Sequence, residues 1–178
     1  MRKLSNEELG RLSPEENRSA EKFPLVLLLD NVRSMYNVGS VFRTADAFRI
    51  EKIWLCGFTP VPPHREIHKT ALGATETVNW GASTDPAGLA GRLRQEGFHL
   101  VCVEQTDRAV QLQRWSPPAG KPLALIFGNE VEGVRQELVA LSDEAVEIPQ
   151  YGTKHSFNIA VSTGIVLWDL YGKLDWHT

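Results

Sequence analysis

Cysteine is scarce in this sequence, and long apolar runs are missing from it. Cys56 and Cys102 are the two cysteines among 178 residues, and each lies inside an apolar stretch without metal-ligand spacing. They are therefore predicted to be reduced core residues rather than a disulfide or a metal site. The longest apolar stretches, residues 25–29 and 123–127, are far shorter than the roughly 20 residues of a membrane-spanning helix. Since no secretory leader opens the sequence, we expect a cytoplasmic protein without membrane association.

Basic charge is not in excess either. The chain has 19 Lys and Arg against 22 Asp and Glu, a formal net charge of −3. This balance excludes a protein that attracts nucleic acid over its whole surface, so any RNA binding must come from a local basic patch. An apolar content of 42% is ordinary for a globular protein and excludes a disordered chain. The length predicts one domain with a full core.

Residues 1–22 are polar and charged and carry two helix-start signals. Ser5 with Glu8 and the segment 13–16, SPEE, both match a capping box. We predict a short helical arm packed on the body, which residues 23–178 form as one domain. The alternative is an arm that contacts RNA through its basic side chains, namely Arg2, Lys3, Arg11 and Arg18.

From residue 23 onwards, short apolar runs alternate with helical patterns. Strands are predicted at 25–29, 53–55, 77–80, 98–103, 123–127 and 145–148, helices at 38–48, 85–96, 135–141 and 158–171, and a long loop at 57–76. Alternation of this kind predicts an α/β domain with a mostly parallel sheet flanked by helices. Ligands in such sheets bind beyond the carboxyl ends of the strands, so the residues that follow strands matter most.

The first segment after a strand is 30–44, DNVRSMYNVGSVFRT. Asn37 is predicted to cap the following helix, and Gly39 permits close approach of another backbone. Arg43 lies four residues beyond Gly39, on a helix face away from the apolar stripe. Arg43 could therefore face a phosphate or a ribose, and the alternative is an ordinary solvated arginine.

The second segment is 128–133, GNEVEG, directly after the strand at 123–127. A nucleoside triphosphate loop is excluded because Val134 and Arg135 stand where Lys and Ser or Thr are needed. A dinucleotide cradle is excluded because no Gly-x-Gly-x-x-Gly follows any predicted strand. Taken alone, this segment is better explained as a glycine-rich turn with exposed acids.

The third segment is 148–158, IPQYGTKHSFN, which leads from a strand end into the last helix. Ser156 or Asn158 is predicted to cap this helix, and the free amides at its start favour an anion or a carbonyl. Lys154 and His155 either bind RNA or are simply solvated.

Together the three segments resemble the signature motifs of the SpoU branch of the SPOUT superfamily, the RNA ribose 2′-O-methyltransferases. The first is similar to the family's Asn-x-Gly-x-x-x-Arg motif and the second to its Phe-Gly-x-Glu-x-x-Gly motif. The third is similar to Ile-Pro…Gly…Ser-Leu-Asn, with Phe157 in place of Leu. The stretch 69–74, KTALGA, is also similar to family members. The resemblance covers about residues 23–171, and it implies a deep trefoil knot at the C-terminal end.

The resemblance implies S-adenosylmethionine as the cofactor, with S-adenosylhomocysteine as its product. A methyl group bound to a positive sulfur is already activated, so no metal is implied. The residues expected to contact the cofactor or shape its loops are Glu104, Gly128, Gly133, Ile148, Pro149, Gly152 and Phe157, with Gln105 beside the adenosine.

Catalysis is implied at Arg43, supported by Asn37, Glu130, Ser156 and Asn158. Because an arginine effectively never loses its proton, we expect Arg43 to hold a phosphate and stabilise the developing 2′-oxyanion rather than act as a base. A phosphate oxygen or a water could accept the proton. Glu130 could pair with an arginine or accept hydrogen bonds from cofactor or RNA.

RNA is the implied substrate. We expect tRNA rather than rRNA, because many rRNA enzymes of the family carry a separate N-terminal RNA-binding domain, which residues 1–22 are too few to form. The residues expected to contact it are Arg33, Arg43, His64, Arg65, His68, Lys69, Lys154 and His155. A homodimer is also implied, and the apolar last helix suits either a partner or an internal core. The alternatives are an rRNA methyltransferase (including the antibiotic-resistance type), a non-catalytic RNA- or cofactor-binding module and a flavodoxin-like domain.

Overall fold

The computed structural model describes residues 1–5 and 7–174. The last four residues of the predicted body domain, 175–178, lie outside the described residues. Within the described part a parallel sheet of seven strands has the order β3-β2-β1-β6-β4-β7-β5. The strands are β1 (Phe23–Asp30), β2 (Ile50–Cys56), β3 (Asn79–Ser83), β4 (His99–Val103), β5 (Val110–Gln111), β6 (Leu123–Phe127) and β7 (Glu144–Glu147). The predicted α/β class and parallel sheet are confirmed.

Helices cover both faces of this sheet. They are α1 (Pro14–Ser19), α2 (Met35–Ala47), α3 (Arg65–Ala71), α4 (Pro86–Gln95), α5 (Gln136–Leu141) and α6 (Ile159–Lys173). Along β1, Leu25, Leu27 and Leu29 join the core beneath α2 and α6, whereas Val26 and Leu28 join the core beneath α4. The unbroken apolar run of β1 is thus explained by burial on both faces, as is usual for a central parallel strand.

The predicted loop at 57–76 was wrong in its second half. Residues Arg65–Ala71 form α3, and Ala74–Glu76 form a 3-10 turn. The irregular stretch after β4 likewise contains β5 and a 3-10 turn at Leu112–Arg114, and the strand predicted at 77–80 is β3, Asn79–Ser83. These elements are too short for a hydrophobic period to reveal them, and tertiary packing decides them instead.

Gly39 explains how α3 is held against α2. A Cβ atom at this position would overlap the Thr70 hydroxyl and the carbonyl oxygen of Ile67. The Thr70 hydroxyl also donates to the Tyr36 carbonyl over 3.0 Å. The predicted close approach at Gly39 is therefore an approach of two helices, and it fixes α3 beside the first turn of α2.

We expect Gly39→Ala to destabilise the fold by about 1–3 kcal/mol, because the added methyl must push α3 off α2. Gly91 in α4 is the matched control, since a Cβ there would meet nothing within 4 Å. Gly91→Ala should instead stabilise by about 0.5–1 kcal/mol through helix propensity. Urea melts of both variants measure the change in the free energy of unfolding, which should be opposite in sign for the two. Equal changes would contradict the packing argument.

The short helix α1 packs on the rest of the chain. Ser13 and Glu16 form the capping box of α1, with Pro14 at its start. Asn17 is buried, and its side-chain amide donates to Asp46 of α2 over 3.0 Å. Arg18 reaches the Glu76 carbonyl over 3.4 Å. These contacts tie α1 to the body; RNA contact by the arm stays a prediction.

Both cysteines lie in the core, as predicted. Cys56 and Cys102 are buried and free, and loss of solvent on burial raises the pKa of each thiol to about 12. A thiol that keeps its proton is a poor nucleophile and a poor metal ligand. In the described part of the chain, none of the helices has the length and apolar character needed to cross a membrane.

Candidate functional site

A cavity of about 910 Å³ opens at the carboxyl ends of β4, β6 and β7. Three loops form it, one after each strand: loop A at 104–107, loop B at 128–134 and loop C at 148–157. The lining residues with ionisable side chains are Glu104, Asp107, Glu130, Glu132, Glu147, Lys154 and His155. Its volume lies within the range typical of small-molecule sites, and its position is the one expected for ligands of a parallel sheet.

The shape of loop B is fixed by its own backbone and by Asn129. The buried Asn129 side chain accepts hydrogen bonds from the amides of Val131 and Glu132 over 2.9 and 2.8 Å. Gly133 has a φ of +68°, which a residue with a side chain rarely adopts. At Gly128 a Cβ atom would overlap the backbone of Gly133. Loop B is therefore a rigid turn whose glycines are required, and sequence reasoning assigned no role to Asn129.

Glu104 of loop A stabilises loop B. Its carboxylate accepts from the amide of Val134 over 3.0 Å and from the amide of Gln105 over 2.8 Å. The Gln105 side chain in turn donates to the His155 carbonyl of loop C over 2.7 Å. Loops A, B and C thus form one hydrogen-bonded unit around the cavity, and both residues predicted beside the cofactor belong to it.

Asn37 joins the first motif to the other two. Its side-chain Nδ2 donates to the Glu130 carboxylate of loop B. Its side-chain Oδ1 accepts a hydrogen bond from the side-chain amide of Asn158 over 3.0 Å. The predicted cap at Asn37 was wrong, because the Ser34 hydroxyl caps α2 by accepting from the Asn37 amide. This earlier start of the helix frees the Asn37 side chain for the contact with Glu130.

Asn158 is both a helix cap and a partner of Asn37. Its side-chain oxygen accepts from the Ala160 amide over 2.9 Å and so caps α6. Of the two cap candidates, Ser156 and Asn158, the structure selects Asn158. Ser156 lies in loop C and lines the cavity.

Arg43 lies on an exposed face of α2, beyond the residues that line the cavity. Within residues 1–5 and 7–174, its guanidinium takes part in no hydrogen bond or ion pair. An unpaired arginine on a rigid helix is free to bind an external anion. Asn37 lies in the first turn of the same helix, and its contacts with Glu130 and Asn158 join the helix of Arg43 to loop B and to the start of α6.

The residues expected to hold a cofactor divide between the cavity wall and the loop behind it. Those that line the cavity are Glu104, Gly128, Gly133, Ile148 and Phe157. Pro149 and Gly152 belong to loop C but are not among the lining residues of the described chain. Among these residues, Ile148 and Phe157 contribute apolar side chains to the cavity wall.

The eight residues expected to bind RNA are all exposed. Arg65, His68 and Lys69 share α3, and His64 caps that helix through Nδ1, which accepts from the Glu66 amide over 3.2 Å. Lys154 and His155 lie in loop C and line the cavity. Because α3 packs on α2, its basic side chains are carried close to the first motif.

One ion pair beneath the site was missed by sequence reasoning. The fully buried Asp30, at the end of β1, accepts from Nε and Nη2 of Arg135 over 2.9 and 2.6 Å, and from the Arg135 amide over 3.1 Å. This contact raises the pKa of the Arg135 guanidinium. The pair fixes the start of α5, which follows loop B, to the strand that precedes the first motif.

Comparison with known proteins agrees with the family resemblance of the three sequence segments. The family model described as the SpoU rRNA methylase family matches residues 24–168. A 23S rRNA (guanosine-2′-O-)-methyltransferase RlmB from Nitrosomonas europaea is 33% identical over 83% of the chain, which spans 55% of that relative. A tRNA (guanosine(18)-2′-O)-methyltransferase from Aquifex aeolicus is 27% identical over 82% of the chain and is covered over 67% of its length.

A solved structure gives the same result for the fold. The rRNA methyltransferase from Sinorhizobium meliloti, solved with AdoMet bound, superposes with a TM-score of 0.76 at 30% identity. The match covers 89% of this chain and 60% of that one. The chain thus spans little more than half of several proteins that it resembles.

Proposed function

Because the chain belongs to the SpoU rRNA methylase family, we propose that it transfers a methyl group from S-adenosylmethionine to a ribose 2′-hydroxyl of RNA. The observation that carries this proposal is the contact of Asn37 with both Glu130 and Asn158. Through it, three motifs that lie far apart in the sequence meet beside one cavity. A generic α/β domain would have no reason to bring these polar residues together.

The cavity suits S-adenosylmethionine, which combines an apolar ring, hydroxyls, a sulfonium, an ammonium and a carboxylate. Ile148 and Phe157 offer apolar surface, and the lining acids offer acceptors for hydroxyls and cations, while Lys154 offers a partner for the carboxylate. We propose that these residues hold the cofactor with Glu104, Gly128 and Gly133. Pro149 and Gly152 would shape loop C behind it.

When bound, the cofactor supplies a methyl group that its positively charged sulfur has already activated. The protein must then align the ribose and stabilise the oxygen that loses its proton. In our proposal, Arg43 remains charged, binds the phosphate next to the target ribose and stabilises the developing 2′-oxyanion. Asn37, Glu130, Ser156 and Asn158 hold the helix of Arg43 and the two late loops in register.

We propose tRNA as the substrate, with rRNA as the alternative that the test below separates. Named relatives of both kinds exist, and the tRNA enzyme of Aquifex aeolicus is covered over 67% of its length, against 55% and 64% for the rRNA enzymes of Nitrosomonas europaea and Pseudomonas putida. The match thus includes a larger part of the tRNA enzyme, which supports this choice.

The direct test is methyl transfer from tritiated S-adenosylmethionine to purified bulk tRNA and rRNA. Label in tRNA that survives alkaline hydrolysis as a dinucleotide would support ribose methylation, since a methylated 2′-oxygen blocks that cleavage. Label confined to rRNA would contradict the tRNA assignment. No label in either RNA, with the cofactor bound, would favour a binding module without activity.

We further propose a homodimer and a knotted C-terminal segment, with residues 23–178 as the catalytic domain and 1–22 as its arm. α6 packs on α2 but leaves Val161 and Trp168 49% and 68% exposed, so an apolar outer stripe is available to a second copy. The path from β7, near one edge of the sheet, back to α6 beside α2 supports the knot.

RNA affinity should fall steeply with salt if the exposed basic residues contact phosphates. Five of the eight are arginine or lysine, namely Arg33, Arg43, Arg65, Lys69 and Lys154. Release of the matching counterions predicts a slope of about −4 when the logarithm of the binding constant is plotted against that of the salt concentration. Filter binding between 50 and 300 mM KCl measures it, and a slope near zero would contradict the patch.

A further inference from the structure

Phe58 is an aromatic side chain left in water next to the first motif. It is 86% exposed and lies two residues beyond the carboxyl end of β2. Full burial of a phenylalanine is worth about 1.5–3 kcal/mol, so the free protein gains little of that stabilisation here. A single exposed aromatic side chain is common on protein surfaces, so its meaning here depends on the loop that holds it and on the residues around it.

The loop that carries Phe58 is rigid. The Phe58 amide donates to the Asn31 side chain over 2.9 Å, and Asn31 itself has a φ of +55°. The buried Thr59 hydroxyl donates to the Leu29 carbonyl over 2.8 Å and accepts from the Val32 amide over 3.0 Å. The ring is therefore held out by a fixed backbone and not exposed by a flexible loop.

Basic residues follow this ring along its own loop and lie on the loop that is cross-linked to it. The exposed Arg33 follows Val32, whose amide is bonded to the residue after Phe58. The same loop continues from Thr59 to the exposed His64 and Arg65 at the start of α3. An exposed aromatic ring on rigid loops that also carry basic side chains suits unpaired nucleotides, because bases stack on such rings while cations contact phosphates.

Resting on the proposed function, we propose that Phe58 stacks on an unpaired nucleobase of the substrate RNA, beside the nucleotide that is methylated. It acts as a binding and positioning residue and takes no part in the chemistry. The exposed loop and the loop of the first motif are joined by Asn31 and Thr59, so a base held by Phe58 would be held in register with α2 and Arg43.

The test compares Phe58→Ala, Phe58→Leu and Phe58→Trp in steady-state methyl transfer with the substrate RNA. A lost base–aromatic stack should raise KM for RNA about 10-fold or more in the Ala and Leu variants. Phe58→Trp should restore KM to within about threefold, because tryptophan also stacks. Val110, exposed on β5 at the far edge of the sheet, is the control, and Val110→Ala should leave KM unchanged.

Two readouts separate this proposal from the proposed function. If the unaltered protein methylates RNA but Phe58→Ala keeps its KM, the stacking role is wrong and the enzyme assignment stands. If Phe58→Leu retains full affinity, apolar contact suffices and stacking is again wrong. Calorimetry with S-adenosylmethionine and thermal melts should be unchanged in all three variants, and a large change in either would overturn the proposal in favour of a structural role.

Discussion

Arg43→Ala is expected to lower kcat for methyl transfer about 100- to 1,000-fold, the usual cost of removing one donor that stabilises a developing oxyanion. Binding of S-adenosylmethionine should be nearly unchanged, because Arg43 does not line the cavity. Stability should also be unchanged, because the side chain is exposed and takes part in no ion pair among the described residues. Single-turnover kinetics and calorimetry measure the first two effects.

Arg43→Lys is the matched variant, because lysine keeps the charge but loses the planar pair of donors. We expect it to recover RNA binding to a larger extent than kcat. Loss of cofactor binding in Arg43→Ala would contradict the division between a helix that serves the RNA and loops that serve the cofactor. Full activity in Arg43→Ala would contradict the catalytic assignment itself.

Arg135→Met is expected to destabilise the fold by about 3–5 kcal/mol, since it leaves the Asp30 carboxylate buried without a counterion. Asp30 is 0% exposed and otherwise keeps the Arg135 amide as a donor. Asp30→Asn should cost less, because the Arg135 side chain that it leaves is 38% exposed and can be solvated. Urea melts measure the change in the free energy of unfolding of both variants, when all curves are fitted with one common dependence on urea concentration.

The exposed pair between Glu15 and Arg18 provides the control for this prediction. Both side chains are largely solvated, so Glu15→Gln should change the free energy of unfolding by less than about 1 kcal/mol. If Arg135→Met cost as little as Glu15→Gln, the pair beneath the site would be dispensable. Its role in fixing α5 to β1 would then be wrong.

The central strands of the sheet were predictable because their burial produces a recognisable sequence pattern. Leu123–Phe127 was predicted to the residue, and β1 was placed within its true bounds, since a strand covered on both faces needs an unbroken apolar run. The short elements were not predictable in this way. α3 has seven residues, and its position depends on the contact of Gly39 with Thr70.

The site was predictable as a set of motifs but not as a set of contacts. The motifs identified Asn37, Glu130 and Asn158, yet the bonds that join them span 93 and 121 residues. The pair of Asp30 and Arg135 is separated by 105 residues and leaves no local pattern. Asn37 was given the wrong local role because Ser34 and Asn37 are both good caps, and only the packed helix shows which of them is used.

The position of β1 between β2 and β6 also affects how the chain folds during its synthesis. Leu25 pairs with Leu123, so about 100 residues must be synthesised before β1 gains its second neighbour. At ribosomal speeds of about 5–20 residues per second, this takes about 5–20 s. During that interval β1, with its run of buried apolar residues, has at least one open edge, where it can meet a chaperone or a second nascent chain.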